Sequence, residues 1–264
     1  MKLFSPAKLN LFLRIMGKRP DGYHELASLF QAISLGDQIT LSLGERDTLS
    51  CSDPRVPCTR ENLAWRAVEL FRKKTGFISP VVVDIEKRIP MEAGLGGGSS
   101  NAATVLWGLN QLGGVGVSDE ELQLWSSEMG MDVPFFFSGG TAYCTGRGEC
   151  VEDLLPLQAM RFSIFKMSEG LSTAKIYQTF RVEESSSRDP KELLEGFYRG
   201  KGEFVNDLEG PAFRLLPKLG EMKRELEGEV QSVFMTGSGT ALVSVVESGE
   251  VKMVRRGCGQ KCWY

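Results

Sequence analysis

The feature that most constrains this chain is a run of glycines between a strand pattern and a helix pattern. Gly94, Gly96, Gly97 and Gly98 fall within five consecutive positions of the segment 90–103. Glycine lets a backbone bend tightly and approach a ligand without obstruction by a Cβ atom. The run therefore predicts a loop that lies against a ligand.

The flanking residues predict a strand, this loop and a helix, in that order. Residues 81–86 alternate as in a half-buried strand, and the helix is expected to begin near Ser99. The free N–H groups of a helix N-terminus favour anions, and phosphate is their most common ligand. Ser99 and Ser100 add hydroxyls for phosphate or for a phosphate-bound magnesium ion. We interpret residues 90–103 as a nucleotide phosphate-binding loop rather than a flexible linker.

Three familiar phosphate loops do not fit these residues. A Walker loop ends in Gly-Lys-Ser/Thr, whereas Gly98 is followed by Ser99 and the loop contains no lysine. A dinucleotide fingerprint needs Gly or Ala at position 99. The His-Arg-Asp and Asp-Phe-Gly signatures of protein kinases are absent from the sequence. A fourth type of loop is required.

Composition limits the classes of partner. The 264 residues are 42% hydrophobic, which suffices for two modest domains or one large one, and the formal net charge is −3. No global positive field is available for nucleic acid or for an anionic membrane, so any phosphate must be held locally. The N-terminus lacks a signal-peptide pattern and no run reaches membrane-spanning length. We expect a cytoplasmic protein that binds neither nucleic acid nor membrane.

The cysteines form no recognisable metal or disulfide framework. They are scattered without a Cys-x-x-Cys pair or a histidine cluster, and we expect them to be reduced thiols. Only Cys258 and Cys262 are weak candidates for a metal or a disulfide.

The rest of the chain predicts an α+β organisation. Residues 2–50 suggest strands and hairpins with turns at Gly17, residues 20–22, residues 36–37 and Gly44. Helices are expected from an N-cap at Thr59 to Gly76, after a capping box formed by Ser118 and Glu121, and around residues 190–198 and 211–227. Two apolar runs, 230–235 and 241–246, follow and are joined by a glycine turn. The second half predicts a sheet with helices on one face.

Residues 90–103 resemble the second motif of the GHMP kinase superfamily, Pro-x-x-x-Gly-Leu-Gly-Ser/Gly-Ser-Ser-Ala/Asn-Ala. The first and third motifs of that superfamily are present as residues 5–11 and 235–240, so the resemblance spans almost the whole chain. Residues 19–26, 131–136 and 206–209 are similar to one branch of the superfamily, which phosphorylates a cytidine-diphosphate-linked alcohol. The presence of all these segments in the right order makes the resemblance specific.

The resemblance implies a two-domain α+β fold with the active site between the domains. Residues 1–152 are expected to form an N-terminal domain of mixed sheet and helices, like domain 2 of ribosomal protein S5. Residues 153–264 are expected to form a ferredoxin-like α+β domain. ATP is the implied cofactor, with Mg²⁺ entering on the nucleotide and no metal site built by the protein. A monomer or a weak homodimer is expected.

The implied reaction transfers the ATP γ-phosphoryl group to the 2-hydroxyl of a cytidine-diphosphate-linked methylerythritol. The alternatives are a mevalonate- or homoserine-type kinase, which would lack the Asp-Gly-Tyr-His segment, and a non-catalytic nucleotide-binding protein, which would lose Lys8 or Asp132. Those residues are present.

The resemblance assigns catalysis to Asp132 and Lys8. Asp132 would accept the proton of the attacking hydroxyl, although the residues alone favour an N-cap before Pro134. Lys8 would keep Asp132 ionised and support the transferring group, although most lysines near a terminus are solvated. In a strand, Lys8 and Asn10 share one face, so both can point into one pocket.

The resemblance also implies residues that bind the substrate. Tyr23 and His24 would recognise the cytosine, and Tyr177 would close its other face, whereas a surface histidine and a core tyrosine are the structural alternatives. Gly237 and Ser238 are expected against the substrate and the phosphate loop, the alternative being a simple hairpin.

The nucleotide is expected to contact the glycine run and the edge of an adenine pocket. The residues implied are Asn62, Lys87, Pro90, Met91, Glu92, Ala93, Gly94, Leu95, Gly96, Gly97, Gly98, Ser99 and Ser100. The superfamily usually has a small residue at position 92, so Glu92 is a departure that places an anion close to phosphate, and we expect its carboxylate to point outward.

Overall fold

Two long paired strands organise the first part of the structure, a computed structural model that describes residues 1–230 and 232–246. β1 (Lys2–Lys18) pairs antiparallel with β2 (His24–Leu43) along nearly its whole length. The predicted turn at residues 36–37 is wrong. Gly36 and Asp37 lie inside β2, opposite Pro6 and Ser5, and a register shift follows Pro6. A bulge absorbs the extra residues there, so the chain continues as one strand.

In the part of the chain that the structure describes, the first sheet is mixed and has six strands. β2 pairs through one half with β4 and through the other half with β5, while β3 runs parallel to β4 and β6 pairs with β5. The additional bounds are β3 (Thr48–Cys51), β4 (Val81–Glu86), β5 (Thr141–Gly146) and β6 (Cys150–Asp153).

Three helices accompany this sheet: α1 (Leu63–Thr75), α2 (Gly97–Gly113) and α3 (Asp119–Ser126). Apolar residues of β2 and β4 form one core with α1 and α2. The N-cap of α1 is Asn62, not Thr59, because the Asn62 side chain accepts a hydrogen bond from the Ala64 N–H. The predicted cap of α3 is confirmed, since the Ser118 hydroxyl accepts from the Glu121 N–H at 3.2 Å.

Among the described residues, the second half contains a three-stranded antiparallel sheet with four helices. The strands are β7 (Arg161–Lys166), β8 (Val233–Met235) and β9 (Ala241–Val246), in the order β7-β9-β8. The helices are α4 (Thr173–Thr179), α5 (Pro190–Tyr198), α6 (Glu209–Leu215) and α7 (Pro217–Glu227).

Two helix predictions need correction. The expected helix over 211–227 is two helices, because Pro217 cannot continue the hydrogen-bonding of α6 and instead opens α7. α2 begins at Gly97, two residues before the expected Ser99, since Gly96 in the left-handed conformation acts as its N-cap. The N-terminal end of α2 therefore consists of the glycines themselves.

The two halves meet along β1. The Leu13 N–H donates to the Val205 carbonyl at 2.7 Å, and the Asp207 N–H donates to the Leu13 carbonyl at 2.9 Å. The predicted boundary between residues 152 and 153 falls at the end of β6 and stays a prediction. Among the described helices, none has the length and apolarity needed to cross a bilayer.

The described cysteines, Cys51, Cys58, Cys144 and Cys150, are free thiols in the structure. Cys258 and Cys262 lie outside the described residues. Within the described ranges, no group of three or more His, Cys, Asp or Glu side chains is arranged to hold a metal ion.

Candidate active site

A buried lysine and a partly exposed aspartate form the centre of the site. The Lys8 Nζ lies 3.1 Å from the Asp132 Oδ2, and the two side chains are 3% and 36% exposed. Lys8 is therefore not a solvated terminal lysine. Asp132 is not an N-cap either, since Val133 occupies that position of the 3₁₀ turn Pro134–Phe137. The Lys8 ammonium group thus lies against one side of the carboxylate, and another side of the carboxylate is open to a reactant.

Asn10 fixes the position of the lysine. The Lys8 Nζ donates to the Asn10 Oδ1 at 2.6 Å, which confirms that the two side chains share a face of β1. The Asn10 amide in turn donates to the Ser28 hydroxyl at 2.9 Å. The ammonium group also lies 4.5 Å from the centre of the Phe30 ring, a cation–π distance. These contacts leave Lys8 little conformational freedom.

The glycine run brings a helix N-terminus to the lysine. The Lys8 N–H donates to the Leu95 carbonyl at 3.0 Å, so β1 is bonded directly to the loop. Gly96 has φ 69° and no side-chain cap, and a Cβ added there would lie 3.0 Å from the Lys8 Cγ. The first N–H groups of α2 lack partners within the helix and are free to donate to an anion. The geometry suits a phosphate group beside Lys8.

The turn between β8 and β9 packs tightly on this loop. A Cβ added to Gly239 would lie 2.0 Å from the Ala93 carbonyl carbon, and one added to Gly94 would lie 2.3 Å from the Thr236 carbonyl oxygen. The Thr236 hydroxyl accepts from the Asn10 N–H at 2.8 Å. The segment is therefore a hairpin turn that also lies against the loop, as predicted, and its contact with a substrate stays a prediction.

Aromatic side chains form a second part of the site. The His24 ring centre lies 5.4 Å from that of Tyr177 and 5.6 Å from that of Phe180. Tyr23 is 58% exposed, and the Arg147 guanidinium lies 5.0 Å from the centre of its ring. Burial and the nearby Lys18 lower the pKa of His24, so the ring is held neutral at neutral pH. Burial raises the pKa of Tyr177, which keeps its hydroxyl protonated.

One cavity of about 880 Å³ joins the ion pair to these rings. Its lining includes the predicted residues Lys8, Asn10, Tyr23, His24, Ser99, Asp132, Tyr177, Gly237 and Ser238. The Ser238 hydroxyl contacts the Thr173 hydroxyl at 2.7 Å, so α4 closes one wall.

A second cavity of about 570 Å³ lies along the start of the glycine run. Four predicted nucleotide residues line it: Lys87, Pro90, Met91 and Glu92. Asn62 does not line it, because the Asn62 side chain caps α1 and donates to the Pro57 carbonyl at 2.8 Å. Ala93 and Leu95 are buried, and the Ser100 hydroxyl is hydrogen-bonded to Ser5. The side chains of these three residues therefore contact other parts of the protein rather than the cavity.

Comparisons with known proteins agree with this geometry. Residues 62–140 match the model of the GHMP kinases N terminal domain. The chain is 49% identical over 257 residues to the chloroplastic 4-diphosphocytidyl-2-C-methyl-D-erythritol kinase of Oryza sativa subsp. japonica, covering 93% of this chain and 64% of the rice protein. It is 48% identical to the enzyme of that name from Protochlamydia amoebophila, covering 93% of this chain and 84% of the relative. The chain belongs to the 4-diphosphocytidyl-2-C-methyl-D-erythritol kinase family.

A solved structure supports the same assignment. The crystal structure of a 4-(cytidine 5'-diphospho)-2C-methyl-D-erythritol kinase superposes with a TM-score of 0.79 at 37% identity, covering 94% of this chain and 90% of that one. The α+β GHMP kinase fold expected from the three motifs is thus confirmed.

The structure adds site residues that the motifs did not indicate. Lys18, Arg147, Thr173 and Phe180 also line the larger cavity. The signal for Arg147 was its place in the Gly-Arg-Gly-Glu turn that follows β5, where a cation in a tight turn is presented to solvent. Phe180 gave no such signal, because an isolated phenylalanine at the end of a helix is typical of a core.

Proposed function

We propose that this chain transfers the γ-phosphoryl group of ATP to the 2-hydroxyl of 4-diphosphocytidyl-2-C-methyl-D-erythritol. The observation that carries the proposal is the Lys8–Asp132 pair, which lies where the cavity of His24 and Tyr177 meets the N-terminus of α2. Relatives at 48–49% identity that bear this kinase's name support the substrate assignment.

Asp132 acts as the general base in the proposed step. Its carboxylate takes the proton of the 2-hydroxyl, the alkoxide oxygen bonds to the γ-phosphorus, and the bond from that phosphorus to the bridging oxygen breaks to release ADP. Lys8 stabilises negative charge that develops on the transferring group. The Asn10 amide and the Phe30 ring hold the Lys8 ammonium group in place, so this group does not have to move when the negative charge develops.

The free N–H groups of α2 and the Ser99 hydroxyl hold the phosphates. Ser99 lines the cavity, and its hydroxyl oxygen suits Mg²⁺, a hard cation that prefers oxygen ligands. When bound, Mg²⁺ neutralises charge on the phosphates. Lys87, Pro90 and Met91 border the nucleotide in the smaller cavity.

Tyr23, His24 and Tyr177 select the cytosine. An aromatic face gives affinity for any base, whereas a buried polar edge rejects bases with the wrong donors and acceptors. The neutral His24 ring offers one donor and one acceptor, so it reads the edge of a base rather than its charge.

Measurement of ADP release with three alcohols tests the proposal. The purified chain, ATP and Mg²⁺ are incubated with 4-diphosphocytidyl-2-C-methyl-D-erythritol, mevalonate or homoserine, and phosphorus NMR identifies the product. Release only with the first alcohol is expected, with the new phosphate on the 2-hydroxyl. If ADP is released with mevalonate or homoserine but not with the cytidine alcohol, the proposed substrate is wrong. If the chain binds ADP but forms none from ATP with any of the three alcohols, a non-catalytic nucleotide-binding protein is favoured.

A further inference from the structure

Asp37 is a buried carboxylate for which the mechanism above has no use. It belongs to the alternation of β2 that also points Ile39 and Leu41 inward, and all three residues are 0% exposed. Ile39 and Leu41 pack in the core beneath α1 and α2. A charge on the apolar face of a strand is costly unless it is paired and hydrogen-bonded. Its partners therefore indicate what Asp37 does.

Two partners of Asp37 are at the start of the phosphate loop. The Arg88 and Ile89 N–H groups donate to the Asp37 Oδ1 at 2.7 and 2.8 Å. These residues directly precede Pro90, the first residue of the glycine-rich segment. The carboxylate thus fixes the backbone from which the loop departs.

A third partner is at the other end of the loop. The Asn101 amide donates to the Asp37 Oδ2 at 2.9 Å and to the Ser5 hydroxyl at 2.9 Å. The Ser5 hydroxyl is in turn 2.7 Å from the Ser100 hydroxyl. Asn101 and Ser100 belong to the first two turns of α2, and Ser5 begins the motif that carries Lys8. One carboxylate therefore connects both ends of the loop with the strand of the proposed catalytic lysine.

The fourth partner is Lys87. Its Nζ donates to the Asp37 Oδ2 at 2.6 Å, and the lysine side chain is 8% exposed. A Cβ added to Gly97 would lie 3.0 Å from this Nζ, so the ammonium group lies against the first residue of α2. The glycine run contains no lysine of its own, and Lys87 supplies a cation from the end of β4.

We propose that Asp37 is a positioning residue for the nucleotide: it holds the two ends of the phosphate loop and the Lys87 ammonium in the geometry that binds ATP. The proposal rests on the proposed function only in that this loop binds a nucleotide. Asp37 acts through Lys87, Asn101 and the backbone, and touches no reacting atom.

The test compares the full chain carrying Asp37→Asn with the unchanged protein. Asparagine keeps the size of the side chain but removes the charge and one acceptor oxygen. Isothermal titration calorimetry with ADP and Mg²⁺ measures nucleotide affinity without turnover, and steady-state kinetics give the KM of each substrate. Asp84→Asn is the matched control, because Asp84 is an exposed residue of β4 whose carboxylate accepts from the Ser50 hydroxyl.

We expect Asp37→Asn to raise the Kd of ADP and the KM of ATP by about tenfold or more, since a loss of that size corresponds to one weakened hydrogen bond to a charged phosphate. The KM of the cytidine substrate stays within about twofold in the same comparison, and Asp84→Asn changes neither constant. A purely structural role would reduce the active fraction and the Tm while leaving both constants unchanged, and that result would overturn the proposal.

Ser5→Ala keeps the proposal testable if Asp37→Asn does not fold. This variant removes the hydroxyl between Asn101 and Ser100 without changing any charge. A smaller rise in the Kd of ADP is expected, and an unchanged Kd in the folded variant would overturn the proposal. If the unchanged protein binds ADP but does not phosphorylate the cytidine alcohol, the proposed function fails while the Asp37 comparison still stands.

Discussion

Asn206 holds the Gly237 turn in place. The Asn206 Nδ2 donates to the Gly237 carbonyl at 2.9 Å and to the Met235 carbonyl at 2.8 Å. The Asn206 Oδ1 accepts from the Leu208 N–H at 2.9 Å, so the whole amide is engaged. Because the turn packs closely on the glycine loop, the Asn206 amide sets the distance between the proposed phosphate and substrate sites.

Asn206→Ala is expected to lower kcat/KM for the cytidine substrate by about 10–100-fold, because a displaced turn misaligns the two reactants. Asn110→Ala is the control, since Asn110 is a buried asparagine whose side chain makes two hydrogen bonds to Val117, far along α2. Both variants should lose Tm, and only Asn206→Ala should lose kcat/KM. Equal kinetic losses in both would assign Asn206 a general role in stability.

The sequence predicted local structure best where one residue type has one physical use. The capping serine before α3 was identified correctly and the start of α2 to within two residues, because few alternatives satisfy a helix N-terminus. Gly36–Asp37 was misread as a turn, since Gly-Asp is common in turns and a bulge depends on pairing with a distant strand. That error concealed the buried role of Asp37.

The site was predictable only in part for the same reason. Lys8 and Asn10 follow from alternation within one strand, but the contact of Lys8 with Asp132 depends on a fold that the local pattern does not contain. Arg147 and Phe180 reach the cavity from elements that are distant in sequence, and Phe180 has no local signal. Asn62 shows the reverse case, because the helix cap that uses its side chain is itself a local contact.

Replacement of the proposed general base should stop turnover but not nucleotide binding. Asp132→Asn is expected to lower kcat by about 10²–10⁴-fold, because the amide cannot take the proton of the hydroxyl. Lys8 keeps its contact with Asn10, so the Kd of ADP should stay within about threefold of the unchanged protein in the same titration. Asp153→Asn, on an exposed residue that accepts from the Gly139 N–H, serves as the control. A kcat that survives Asp132→Asn would remove this carboxylate from the mechanism.

His24 gives the site a defined dependence on pH. Burial, reinforced by Lys18, lowers its pKa below the ordinary value of 6.5. The unfolded chain therefore binds a proton on His24 more readily than the folded chain does. The stability that the neutral ring contributes is fully present above pH 6.5, and it is lost as the pH falls through the lower pKa of His24 in the folded state. The KM of the cytidine substrate should rise over the same range, because the protonated ring has two donors and no acceptor.

The sequence has a single histidine, so NMR can follow it without assignment. The imidazole Cε1–Hε1 signal should titrate with a midpoint below 6.5. In His24→Gln the acid-side rise in KM should vanish while the rest of the pH profile is retained. A midpoint at or above the ordinary value, or a rise in KM that persists in His24→Gln, would contradict this explanation.

Glu92 combines backbone strain with an unfavourable charge at the start of the phosphate loop. Its φ is 54°, a left-handed conformation that favours glycine, and the side chain is exposed as predicted. The Glu92 carbonyl accepts from the Thr240 N–H at 3.3 Å, which helps to hold the backbone in this conformation. Lys166 lines the smaller cavity together with Glu92. Burial lowers the pKa of Lys166 and the Glu92 carboxylate opposes this lowering, so the two charges partly compensate each other.

Two substitutions separate the strain from the charge. Glu92→Gly removes both and should stabilise the fold by about 0.5–1 kcal/mol after the entropy of the unfolded glycine is subtracted, or about 1–4 °C in Tm. Glu92→Gln keeps the strained backbone and removes only the charge, so its Tm should stay close to that of the unchanged protein. Both should bind ADP more tightly, by about two- to fivefold at low salt, and this gain should shrink as salt is added. A tighter Kd in Glu92→Gly alone would assign the effect to the backbone of the loop rather than to the carboxylate.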